Sequence, residues 1–91
     1  MVCTSYMKEA RHELAQRKAE EKRIFSRALG ERIRDARLKK GMSQEELAHE
    51  SGFYRTYVGH IETATYSPST YTVWRLARSL GVDLRDLLND L

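Results

Sequence analysis

Ser43-Gln44-Glu45-Glu46-Leu47-Ala48-His49-Glu50-Ser51-Gly52-Phe53-Tyr54-Arg55-Thr56-Tyr57-Val58-Gly59-His60-Ile61-Glu62 decides the fold, because it spells two short helices with a turn between them. Ser43 and Glu46 are placed for a capping box. The Ser43 hydroxyl accepts from the backbone N–H of Glu46, and the Glu46 carboxylate reaches back to the N–H of Ser43. The helix that starts there turns Leu47 and Ala48 inward and stops about two turns on at Ser51-Gly52. Gly52 permits the sharp change of direction between two crossing helices. Phe53 is expected as a buried plug, and a further helix runs from Tyr54 or Arg55 to about Thr63.

Upstream, Leu29, Ile33 and Ala36 recur at spacings of four and three, so a helix from Ser26 to about Lys40 has one apolar face, and Gly41 closes it. Downstream, Pro68 ends the loop after Thr63 and Ser69 caps a helix with Val73, Leu76, Ala77 and Leu80 on one side. Gly81 stops that helix. Asp83 caps a last short one in which Leu84, Leu87, Leu88 and Leu91 gather on one side. Ahead of all of these, residues 4–29 read as a charged helical segment whose Met7, Ala10 and Leu14 form a thin apolar stripe, weakly continued by Ala15 and Ala19. Pairs such as Glu13 with Arg17 support it as a solvated helix. A solvated extension and a dimerising or DNA-contacting arm are both open readings of this segment.

The whole sequence agrees with an all-α chain. It has 91 residues with one proline and five glycines, and is 41% hydrophobic and 32% charged, too apolar for a disordered tail. That length suits one small module: a charged helical extension over residues 1–25 and a helix-turn-helix domain over 26–91. The single cysteine, Cys3, cannot form an internal disulfide and has no companions at metal-ligand spacing. No metal and no cofactor are expected, and the natural compartment is a reducing cytoplasm. No run of apolar residues approaches a membrane span or a signal peptide. The net charge of +3 is small. Residues 1–25 carry six basic and four acidic side chains and residues 26–91 carry ten and nine, so most of the excess lies in the extension.

Leu29-Gly30 through Ile33 and Arg37, then Gly41-Met42-Ser43-Gln44-Glu45-Glu46-Leu47-Ala48, Gly52, Val58, Ile61-Glu62, Pro68-Ser69 and Ala77 to Leu80-Gly81-Val82 together resemble the Cro/phage-repressor (Xre-type) DNA-binding domain. The resemblance covers roughly residues 27–89. Arg55-Thr56-Tyr57-Val58 followed by Ile61-Glu62 is most similar to restriction–modification controller proteins. The resemblance implies a five-helix, lambda-repressor-like domain, here with an extra N-terminal helix, acting as a cytoplasmic regulator of bacterial or phage origin. It also implies that Gln44 contacts the DNA backbone and that Arg37 and Glu62 bridge the first and third helices of the domain.

The reading surface follows from helix geometry alone. At 100° per residue from Arg55, Gly59 falls at about 40°, Thr56 at about 100° and His60 at about 140°, while Tyr57, Ile61 and Val58 lie between about 200° and 300°. With Val58 and Ile61 buried, Arg55, Thr56, Gly59 and His60 point outward as candidate base contacts. Arg55 is suited to guanine O6 and N7, with a phosphate clamp or a solvated charge as the alternative, and Thr56 to a base edge or a thymine methyl. Simple exposure is the alternative for Thr56 and His60. Gly59 lets the backbone approach the duplex; crowding between helices is the competing explanation. Gln44, at a helix N-terminus, is a candidate phosphate contact, and the Tyr57 hydroxyl is another. The loop from Thr63 to Ser69 has no Lys or Arg, so the available sources of phosphate contacts are Arg34, Lys39 and Lys40 or the extension with Arg11, Arg17, Lys18 and Arg23. Solubility is the alternative role for all of them.

A single module presents one reading helix, so the expected partner is palindromic double-stranded DNA, bound by a homodimer with half-sites about one DNA turn apart. Trp74, Leu88 and Leu91 are the candidate dimer interface; core packing is the alternative for the leucines. A protein–protein adaptor of the antitoxin or coactivator kind, using residues 4–25, is the rival reading. No nucleophile has a base at usable spacing and no glycine loop cradles phosphate, so an enzyme and a small-molecule substrate are not expected.

Overall fold

The computed structural model describes residues 2–91, with side chains from Met7 onward, so the expectations for Met1 and for the Cys3 side chain lie outside the described part. Five helices follow in order: α1 (Val2–Lys39), α2 (Gln44–Ser51), α3 (Arg55–Glu62), α4 (Thr70–Leu80) and α5 (Leu84–Leu88). The charged extension is helical, as its composition suggests, but it is not a separate element. It runs unbroken into the first helix of the domain, giving one rod of 38 residues. No proline or left-handed glycine interrupts residues 2–39, and Gly30 stays helical. At about 1.5 Å per residue such a rod is about 57 Å long, which accounts for the molecule's longest dimension of 60 Å.

The caps lie where the side-chain chemistry puts them. Ser43 Oγ accepts from the Glu46 N–H at 3.0 Å and Glu46 Oε1 accepts from the Ser43 N–H at 3.2 Å. Gly52 ends α2 at φ 79° and Gly81 ends α4 at φ 71°, left-handed positions that a side chain with Cβ rarely adopts. Ser69 caps α4 through the Thr72 N–H, and Asp83 caps α5 through the Arg85 N–H.

The core draws on every helix. Leu29 and Ile33 of α1, Leu47 and Ala48 of α2, Val58 and Ile61 of α3, Val73, Leu76, Ala77 and Leu80 of α4 and Leu87 of α5 are all buried, as is Met42 ahead of α2. Phe53 is half-buried, not the buried plug expected of it. It lies at the rim of the core, where its ring meets Tyr57 edge-on at 5.3 Å. Its backbone N–H donates to the Ala48 carbonyl, which fixes the α2–α3 turn at 2.8 Å. The core surrounds only the second half of α1; every described residue from Met7 to Phe25 is exposed.

Candidate nucleic-acid interface

Helix α3 is held from behind by its apolar side and by one buried ion pair. Val58 and Ile61 are buried, while Arg55 and Thr56 are exposed and Gly59 and His60 are half-buried. At the end of α3, Glu62 is gripped by Arg37 of α1: Arg37 Nε donates to Oε2 at 2.7 Å and Nη2 donates to Oε1 at 3.0 Å. Arg37 Nη1 also donates to the Met42 carbonyl at 2.9 Å, so one guanidinium ties α1, the turn before α2 and α3 together. Hydrogen bonding to Glu62 raises the Arg37 pKa above its ordinary value. A two-bond arginine–carboxylate fork fixes angle as well as distance, which suits a group that must orient a helix.

On the outward side the structure brings Gln44, Arg55, Thr56, Gly59 and His60 to one shallow hollow, joined by Thr63 and Thr65. Gln44 belongs to both sides, since its Nε2 donates to Glu62 Oε1 at 3.1 Å. The first turn of α2 is thus pinned to the last of α3. Gly59 has no packing reason to be glycine. A Cβ there would meet the Gln44 amide at 3.7 Å, an ordinary contact, so crowding between helices does not explain it. His60 is less free than helix geometry alone suggests, because its ring packs on Tyr66 at 4.8 Å. Tyr57 is half-buried between Phe53 and Tyr66, with its hydroxyl 3.4 Å from Thr72 Oγ1 near the start of α4.

The remaining sequence-derived positions are dispersed. Arg34 is exposed and lines a hollow with Arg23, Arg27, Thr63 and Ala64, beside the end of α3. Lys40 donates to the Ser79 carbonyl at 2.6 Å, in the last turn of α4, where a cation complements the free carbonyls. Lys39 faces a hollow shared with Leu80, Val82 and Leu87. Neither lysine joins the hollow of Arg55. Trp74 stacks on Tyr71 and lies under Arg78, beside Lys40 and Glu50. Leu91 lies apart from it, lining a hollow shared with Ile24, Phe25 and Ala28 of α1, and Leu88 packs on the core. Trp74 and Leu91 therefore belong to two different surfaces.

Thr63, Thr65 and Arg27 were not singled out from the sequence as parts of the site, whereas Arg23 belongs to the basic residues of the extension named there as a source of phosphate contacts. Arg23, Arg27 and Arg34 are four and seven residues apart, one line on a helix, so the signal was present once α1 is known to be continuous.

A protein-family model described as Helix-turn-helix matches residues 33–87. The chain belongs to the helix-turn-helix family. It is 41% identical over 61 residues to the control protein C.BamHI of Bacillus amyloliquefaciens, covering 66% of this chain and 75% of that one. It is 41% identical over 64 residues to the ImmF control region 10 kDa protein of Bacillus phage phi105, covering 70% and 71%. Among solved structures, the restriction-modification controller protein C.AhdI from Aeromonas hydrophila superposes with a TM-score of 0.66 at 39% identity, over 67% of this chain and 92% of that one. These relatives are named as control proteins and not as enzymes. Among the described residues, no helix is long and apolar enough to cross a membrane.

Proposed function

We propose that this helix-turn-helix protein is a dimeric, sequence-specific regulator of transcription that lays α3 in the major groove of a palindromic operator, in the bacterial cytoplasm. The hollow of Gln44, Arg55, Thr56, Gly59 and His60 carries the reading. It joins a forked donor, a hydroxyl and bare backbone on the exposed side of a helix whose other side is locked in the core. Arg55 reads a guanine, Thr56 and His60 read neighbouring edges, and Gly59 allows close approach. Gln44, Tyr57 and Arg34 hold phosphates, together with Arg23 and Arg27, which flank the end of α3 and compensate for the missing basic residues after Thr63. Lys39 and Lys40 rank after these because they lie beside α5 and α4. Of the dimer candidates Trp74, Leu88 and Leu91, Leu91 shares a hollow with the exposed Ile24 and Phe25, and Trp74 stacks on the exposed Tyr71.

Selection of bound duplexes from a random library is expected to return a two-fold symmetric site. Arg55→Ala is expected to lower affinity by about 1–3 kcal/mol per half-site and relax preference at one base pair in each, whereas Gln44→Ala weakens all duplexes more evenly. An unaltered selection profile for Arg55→Ala removes it from direct readout. Replacing Arg23 and Arg27 together by alanine is expected to reduce the slope of log affinity against log salt by about 2 for each pair lost, with base preference kept. Duplex binding with no sequence preference would favour the adaptor reading.

A further inference from the structure

The first half of α1 projects from the domain with an unpartnered side. Met7 and Leu14 are each 55% exposed and Phe25 is 40% exposed. At 100° per residue, Met7, Arg11, Leu14, Lys18, Glu21 and Phe25 fall within about 40° of one line along the helix, at alternating spacings of four and three. That is the spacing of a helix-pairing seam. At the domain end the seam opens into a hollow formed by Lys18, Glu21, Ile24, Phe25 and Ala28 with Leu91, itself 39% exposed. Among the described residues, Arg11, Lys18 and Glu21 take part in no ion pair; those of this helix are Arg23 with Glu20, Arg27 with Glu31 and Arg37 with Glu62.

We infer that this seam pairs antiparallel with the same seam of a second copy of the chain, so that Met7 of each copy fills the hollow between Phe25 and Leu91 of the other. The charges choose both the partner and its direction. In the register that sets Met7 opposite Phe25, Arg11 falls opposite Glu21 and Leu14 opposite the stem of Lys18, and the two-fold axis repeats each match. A parallel pairing in register would set Arg11, Lys18 and Glu21 each against its own copy, three like-charge layers, which disfavours it. The seam lies on the opposite side of α1 from Arg23, Arg27 and Arg34, so pairing leaves the proposed phosphate contacts uncovered. Pairing rests on the dimer reading above, and gives it an interface outside the matched residues 33–87.

Sedimentation of the full chain without DNA, and disulfide trapping in a Cys3→Ser background, test the inference. Met7 and Phe25 of one chain are about 27 Å apart along the helix, too far for a disulfide within it. Met7→Cys with Phe25→Cys is expected to give covalent dimers on mild oxidation, while Met7→Cys alone gives few. Glu21→Arg is expected to weaken association at least about tenfold, and adding Arg11→Glu restores it by reversing both partners. Trapping by Met7→Cys alone as efficient as by the pair would overturn the antiparallel register. So would a dimer indifferent to Glu21→Arg, which would still leave a dimer through another surface. A chain that sediments as a monomer overturns both this pairing and the dimer reading, and the duplex selection separately decides whether that monomer reads DNA.

Discussion

Replacing Glu62 by alanine is expected to destabilise the protein by about 3–5 kcal/mol, because it strands a buried arginine. The Arg37 side chain is 9% exposed and that of Glu62 is 2% exposed, so water cannot take the place of the lost carboxylate without opening the α1–α3 contact. Three charge-assisted donations end on this carboxylate, two from Arg37 and one from Gln44, and all lose their acceptor together. Domains of this size have about 5–15 kcal/mol of stability in total, so the variant should melt well below the wild type or fail to accumulate. The cost belongs to the broken pair and not to the absence of ions. Arg37→Met combined with Glu62→Leu should recover most of the stability, since a buried pair exchanged for apolar groups of similar volume is often neutral. Denaturant titration of the single and double variants checks this. If Glu62→Ala costs less than about 1 kcal/mol, the bridge is not what orients α3. The folded fraction of the double variant should still bind its duplex less tightly, because Gln44 has lost its anchor.

The cap and core positions were legible because each rests on a local rule. Ser43 with Glu46 announces a helix start, and Gly52 and Gly81 announce left-handed stops. The outward set on α3 was legible for the same reason: with Val58 and Ile61 fixed inward, a helix leaves Arg55, Thr56 and Gly59 no other direction. What the sequence concealed depends on distance in the chain. Nothing local shows that Lys40 ends on a carbonyl of α4, or that Trp74 and Leu91 face different hollows, because those facts depend on how α4 and α5 cross α1. The extension was misread as a separate helix because its polar character changes at Ser26 while its backbone does not. A change in which face is buried marks where the core begins, and it is not a helix boundary. Phe53 was assigned to the core on its apolar character, but a residue in a turn between two crossing helices lies at the edge of what they cover.

Two helical glycines, Gly30 and Gly59, should respond to alanine with opposite signs. Helix propensity favours alanine at both, by about 1 kcal/mol, since glycine loses the most backbone freedom on folding. At Gly30 that gain is overwhelmed. An added Cβ would lie 2.5 Å from the Ile61 carbonyl oxygen and 2.7 Å from that of Glu62, and both are backbone atoms of the last turn of α3 that cannot swing aside. Either α1 or α3 must shift, which stretches the Arg37–Glu62 fork that depends on their separation. Gly30→Ala is therefore expected to destabilise by about 2 kcal/mol, in the range of overpacking, which for a domain of this size lowers the melting temperature by roughly 8–16 °C. At Gly59 the nearest neighbour of an added Cβ is the Gln44 amide at 3.7 Å, so the propensity gain survives and Gly59→Ala should raise the melting temperature by a few degrees. The same methyl would stand where α3 is proposed to meet the duplex, and specific affinity should fall. Thermal melts paired with duplex titrations separate the two roles. A loss of stability for Gly59→Ala would mean that the glycine serves packing after all, whereas a more stable protein with weaker, specific binding requires that the space beside Gly59 is kept open for the DNA.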